Sequence, residues 1–95
     1  MAEVRAGIDR IDRMIVALLA ERVGYIEAAA RLKTAREEVR DEARIREVLD
    51  KVRGHAREMG VPEEPVEMLY ERLVEWCVRH ELALFDARSE RSDAG

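Results

Sequence analysis

Val4-Arg5-Ala6-Gly7-Ile8-Asp9-Arg10-Ile11-Asp12-Arg13-Met14-Ile15-Val16-Ala17-Leu18-Leu19-Ala20-Glu21-Arg22 is a proline-free run whose apolar residues return every three or four positions. An α-helix turns about 100° per residue, so with Val4 as zero, Ile8, Ile11, Ile15 and Leu18 all fall within about 40° of one line. Ile26, Ala29 and Leu32 extend the apolar steps, and the periodicity predicts one long helix from about Ala2 to about Glu37. Glu37-Glu38-Val39-Arg40 interrupts the pattern, which puts a break between Arg36 and Asp41. Asp41 is placed to cap a second helix, because its carboxylate can accept the free N–H groups of a first turn. Ile45, Val48, Leu49, Val52, Ala56 and Met59 form that helix's stripe, and Gly60 is its stop. A third helix is expected from Glu64 or Pro65, since proline suits a first turn, with Val66, Leu69, Tyr70, Leu73, Trp76, Cys77 and Leu84 facing inward. The expected fold class is all-α: three helices with a long first one.

The helix lengths carry a further expectation. About 35 residues at 1.5 Å each span on the order of 50 Å, and two shorter helices cannot cover such a stripe. An intertwined homodimer packed along the first helix covers the remainder. The single domain is expected over residues 1–88, and the polar stretch 89–95 is expected to be a frayed or disordered tail.

Composition narrows the function classes. Charged residues make up 40% and aromatics 4% of the 95 residues, which suits amphipathic helices rather than a sheet. The net charge of −4 comes without a basic block, so nucleic acid is not an expected partner. Cys77 is the one cysteine, so no intrachain disulfide can form, and a reducing, cytoplasmic setting is expected. The segment Met1–Ile8 lacks the apolar core of a secretory signal. No run reaches the roughly 18 apolar residues of a membrane span, so no membrane partner is expected.

Charges stand where apolar residues belong. Arg22 returns to the line of Val4, in the centre of the apolar arc, and Lys33 lies about 20° from it. Arg10, Arg13 and Arg31 point to the expected solvent side. On the third helix Glu81 sits inside the arc of Tyr70, Leu73, Val74, Cys77 and Leu84. An isolated buried charge costs several kcal/mol and needs a partner or a proton. A salt bridge of Glu81 with Arg22 or Lys33, fixing helix register, accounts for any one such pair. Three such residues, flanked by Arg5 and Arg44, exceed what register needs and suggest a site for a dicarboxylate. Arg5 lies about 100° around the helix from Arg22 and some five turns away. It can reach such a site only in a second, antiparallel subunit, although from periodicity alone a solvated arginine is the simpler reading.

Val4 to Asp12, Leu18-Leu19-Ala20-Glu21-Arg22 and Ala30-Arg31-Leu32-Lys33 resemble three motifs of the all-helical, AroQ-class chorismate mutases. The likeness covers roughly Val4 to Leu84. It is nearest to the isochorismate-pyruvate lyase branch, through Tyr25-Ile26, the spacing from Lys33 to Arg44, Met59-Gly60-Val61 and Trp76. The resemblance implies that Arg5, from the other subunit, and Arg22, from the same one, each bind a substrate carboxylate. Lys33 would contact the ether oxygen and a carboxylate, with Asp41 and Arg44 lining the pocket. Glu81 stands where many members carry a glutamine that donates to the ether oxygen. Ile45 departs from the mutases' glutamate that meets the ring hydroxyl, and the lyase branch is also apolar there. Cys77 is a candidate wall residue of the substrate site, not a nucleophile, and His55 and His80 read as ordinary helix residues.

The chemistry so implied needs no cofactor and no metal. Two carboxylates are held by arginine forks, the enolpyruvyl arm is folded over the ring, and charge growing on the ether oxygen meets a cation. The leading expectation is chorismate to prephenate. Isochorismate to salicylate and pyruvate stands close behind, and a mutase for 4-amino-4-deoxychorismate comes third. A non-catalytic helical dimer is the alternative of a different class, and it leaves the three cations Arg5, Arg22 and Lys33 unexplained.

Overall fold

The structure is a computed structural model that describes residues 1–94, with side chains through Arg91. It has three α-helices among the described residues: α1 (Ala2–Leu32), α2 (Glu42–Met59) and α3 (Glu63–Ala94), with one short 3-10 turn at Arg36–Glu38 between α1 and α2. The all-α expectation stands, but the first helix is not the one long element: α3 has 32 residues against 31 in α1, because no breaker follows Pro65. The Asp41 side chain accepts the Arg44 backbone N–H at 3.0 Å, which caps α2 as the sequence predicts. Gly60 ends α2 in the left-handed region at φ 72, and α3 starts at Glu63, just ahead of Pro65.

Two boundaries differ from expectation. α1 stops at Leu32 rather than near Glu37, and Lys33 is already extended. The cause is tertiary. The Arg88 guanidinium of α3 donates to the backbone carbonyls of Arg31 at 2.7 Å and of Lys33 at 2.5 Å, so carbonyls at the end of α1 are met from outside. The stretch expected to be a disordered tail instead continues α3 to Ala94. It holds no glycine or proline before Gly95, and Arg88 anchors the helix one residue before it. Gly95 lies outside the described residues.

α3 is the central element, packed against α1, α2 and the 3-10 turn. Arg57 pairs with Glu63 at 2.6 Å and Arg53 with Glu67 at 2.8 Å, so α2 and α3 form an antiparallel hairpin. Glu27 meets His80, and the Arg31 backbone carbonyl accepts from Arg88, so α1 and α3 run parallel. Val39, Val74 and Val78 form the buried core, with Ile45, Val48 and Leu82 against it.

The first half of α1 has no cover. Val4, Ile8, Ile11, Ile15 and Leu18 are all exposed, Leu18 at 62%. The chain measures 58 × 29 × 16 Å with a radius of gyration of 16.8 Å, against about 12 Å for a compact chain of this length. No described helix is long and apolar enough to cross a membrane.

Gly60 gives a clean test of the α2–α3 corner. A Cβ there would meet nothing within 4 Å, so only the left-handed backbone penalises a side chain. Gly60→Ala should cost about 1 kcal/mol, read as a lower denaturation midpoint at fixed protein concentration. An unchanged midpoint would show that the corner relaxes freely.

Candidate active site

A cavity of about 360 Å³ opens between the second half of α1, the start of α2 and the middle of α3. That size lies within the roughly 300–1,000 Å³ of small-molecule sites. Arg22, Lys33, Asp41, Arg44, Ile45, Cys77 and Glu81 all line it, so seven of the eight residues singled out from sequence come together. Arg5 does not. It sits seventeen residues before Arg22 on a straight helix, about 25 Å away.

Each helix supplies its part by turn geometry. On α1, Arg22, Ile26 and Ala29 are spaced by four and three residues and share one face, and Lys33 follows on extended backbone just past the helix end. The short helix end leaves Lys33 at the rim of the loop. On α2 the cap at Asp41 starts the helix so that Arg44, Ile45 and Val48 follow along the cavity side. On α3, Val74, Cys77, Val78 and Glu81 face inward. Ile26, Ala29 and Val48 were not singled out from sequence as site residues, although helical spacing from Arg22 and Ile45 points to all three. Val39 comes from the irregular turn, where periodicity carries no signal.

The polar contacts are uneven. Arg44 is paired with Glu47 on its own helix at 2.5 Å. Arg22 donates to the Cys77 sulfur at 3.4 Å, and its guanidinium carbon stands 5.5 Å from the centre of the Tyr70 ring. Among the described residues, no carboxylate lies within ion-pair distance of Arg22 or Lys33. The salt bridge of Glu81 with Arg22 or Lys33, weighed from sequence, is therefore not formed. Glu81 is 8% exposed, and its Oε2 is buried with no hydrogen-bond partner. Burial raises its pKa above the ordinary 4.5, while Lys33 and then His80 pull it down. His80 is also more engaged than sequence suggested: its Nε2 lies 2.8 Å from Glu27 Oε2, and its ring stacks on Trp76 at 4.7 Å.

The arrangement pairs two uncompensated cations with an apolar wall and a buried carboxyl, Glu81, whose pKa is raised by desolvation. Such a pocket suits an anion with more than one acidic group. A protonated Glu81 can donate a hydrogen bond that an ionised one cannot. A second hollow, on the far side of the α1–α3 contact, contains none of these residues, and its Arg88 is committed to the carbonyls at the end of α1.

Comparison with known proteins gives two findings. The family described as chorismate mutase type II matches residues 4–82. The isochorismate pyruvate lyase of Pseudomonas aeruginosa is 30% identical over 82 residues, covering 86% of this chain and 81% of the relative.

The raised pKa of Glu81 has a thermodynamic signature. The folded state holds this proton more tightly than the unfolded chain, so stability is lost as pH rises from about 4.5 through the folded value. Glu81→Gln removes that loss. Its stability relative to the parent should grow between pH 4 and pH 8, measured as paired thermal midpoints. A difference that is flat or shrinks over this range would mean that Glu81 is ionised without penalty in the fold.

Proposed function

The chain belongs to the chorismate mutase type II family, and from that premise we propose that it rearranges chorismate to prephenate in the cavity between its three helices. The carrying observation is the convergence of Arg22 and Lys33, both without carboxylate partners, on the same hollow as the protonation-prone Glu81. In this reading Arg22 holds one substrate carboxylate through its planar fork, fixing direction as well as charge. Lys33 meets the negative charge that grows on the ether oxygen as the carbon–oxygen bond breaks. Protonated Glu81 donates to the same oxygen. Ile26, Ala29, Val39, Ile45 and Val48 give the folded enolpyruvyl arm and ring an apolar surround, so orientation supplies much of the acceleration.

The second carboxylate falls to Arg5 of another copy. The chain exposes 7503 Å², whereas a compact chain of 10.9 kDa exposes roughly 5,600 Å². The excess is of the size that one partner's share of a large, obligate interface removes, and it coincides with the bare stripe on α1. A homodimer packed along α1 supports both the fold and the site in this reading. The single cysteine, Cys77, supports placing the reaction in the cytoplasm.

A second reading is carried by Ile45. With an isoleucine facing the ring and a lyase among the relatives, isochorismate is the competing substrate, cleaved to salicylate and pyruvate. Both reactions use the same cations on the same ether oxygen, and the wall at position 45 bears on which ring hydroxyl pattern is accepted.

Supplying chorismate and isochorismate separately, and following prephenate, salicylate and pyruvate, decides between the readings. Prephenate from chorismate at the higher kcat/KM is expected. Salicylate with equimolar pyruvate at the higher kcat/KM would replace the first reading by the second, and turnover of neither would remove both.

Shared sites are tested by mixing. Arg5→Ala and Arg22→Ala proteins should each be nearly inactive, yet after subunit exchange the mixture should regain up to about a quarter of parental activity. Half of the dimers are then mixed, and each carries one intact site. Mixtures that stay inactive despite demonstrated exchange would mean that Arg5 acts within its own chain or not at all.

A further inference from the structure

Arg22 faces a problem of placement that its own helix does not solve. Its neighbours at three and four residues on either side are Leu18, Leu19, Tyr25 and Ile26, and none can fix a guanidinium by an ion pair. Arg44, in the same cavity, is held by Glu47 on its own helix. Within the chain, the contacts that Arg22 does make come from α3.

Two α3 residues make them. Tyr70 and Cys77 are seven residues apart, two turns along one face of the helix. The Cys77 sulfur accepts from Arg22 Nη1 at 3.4 Å, and the half-buried Tyr70 ring lies 5.5 Å from the guanidinium carbon, within the reach of a cation–π contact. Both partners are uncharged. A carboxylate in either place would orient Arg22 equally well but would neutralise it, and an incoming anion would first have to displace it. A ring face and a thiol orient the cation and leave its charge available.

We infer that Tyr70 is a positioning residue for Arg22: its ring face, together with the Cys77 sulfur, holds the guanidinium aimed into the cavity without cancelling its charge. The inference rests on the reading of Arg22 as a carboxylate-binding group. It adds a residue outside the cavity wall, and it assigns the role to the ring rather than to the hydroxyl. Tyr70→Phe, which keeps the ring, should therefore behave as the parent. Tyr70→Leu, which removes it, should raise KM about five- to tenfold with a smaller change in kcat, since the loss falls on holding the substrate's carboxylate.

The test uses the full chain with Tyr70→Phe, Tyr70→Leu and, should the leucine protein fail to fold, Tyr70→Met. Steady-state kinetics are paired with the side-chain Nε–H resonance of Arg22, assigned through its loss in Arg22→Lys. A guanidinium over an aromatic face is shifted upfield by the ring current. That shift should persist in Tyr70→Phe and vanish in Tyr70→Leu or Tyr70→Met. An Arg22 resonance that ignores removal of the ring overturns the inference, and so does a Tyr70→Phe protein as impaired as Tyr70→Leu. If the resonance follows the ring while the parent turns over neither substrate, the positioning contact stands and the proposed activity fails.

Discussion

Ala30 is 3% exposed, and the second half of α1 comes down on α3 around this small side chain. Its contacts climb both helices together, from Glu27 with His80 to Arg31 and Lys33 with Arg88. They fix the two helices in parallel and set their register. Everything the cavity needs follows from that register. It brings Arg22 level with Cys77, and it ends α1 where Lys33 can turn toward Glu81. It also leaves a gap that α2, held to α3 by its own ion pairs, closes from the third side. A slide of one helical turn along this contact, about 5.4 Å, would separate Arg22 from its thiol and ring partners and strip the carbonyls at the end of α1.

The distribution of ion pairs gives the site its character. The chain is acidic overall, yet Arg36, Arg40, Arg53 and Arg57 are each paired with a carboxylate. Surface pairs of this kind contribute little to stability, about 0–1 kcal/mol each. None of these carboxylates lies at ion-pair distance from Arg22 or Lys33. Of the two acids that line the cavity, Asp41 caps α2, and Glu81 has its pKa raised by its own burial. The cavity thus gathers cations without carboxylate partners in a protein that is acidic overall.

Local chemistry was readable from sequence wherever it sat on one residue. Asp41 as a cap, Gly60 as a stop, and Arg22 and Glu81 as charges on apolar faces follow from side-chain type and a 3.6-residue period, whereas Lys33 meets the cavity from extended backbone past the helix end. The end of α1 was not readable, because nothing between Leu32 and Glu37 breaks a helix; the hydrogen bonds that end it come from Arg88, more than fifty residues away. The helical course of α3 past Arg88 does not show in a polar composition, which suits a frayed end as well as a helix, although the stretch contains no breaker. That Glu81 forms no ion pair with Arg22 or Lys33 was equally hidden, since a shared cavity does not fix the distance between a carboxyl and a cation. Tyr70 was read as an inward-facing apolar residue, and its role as a partner for a cation depends on a distance between helices that periodicity cannot supply.

The corner at Gly60 has a consequence for the order in which this chain acquires its shape. The α2–α3 contacts that flank it, Arg57 with Glu63 and Arg53 with Glu67, join residues only six and fourteen positions apart. Those joining α1 to α3 close loops of fifty or more, at a larger cost in chain entropy. The hairpin can therefore assemble first as a local unit, and α1 docks onto it afterwards. The cavity has walls from both, so it exists only after that last step. Partial unfolding from the α1 side would empty the site of Arg22 and Lys33 while most of the helical signal persists.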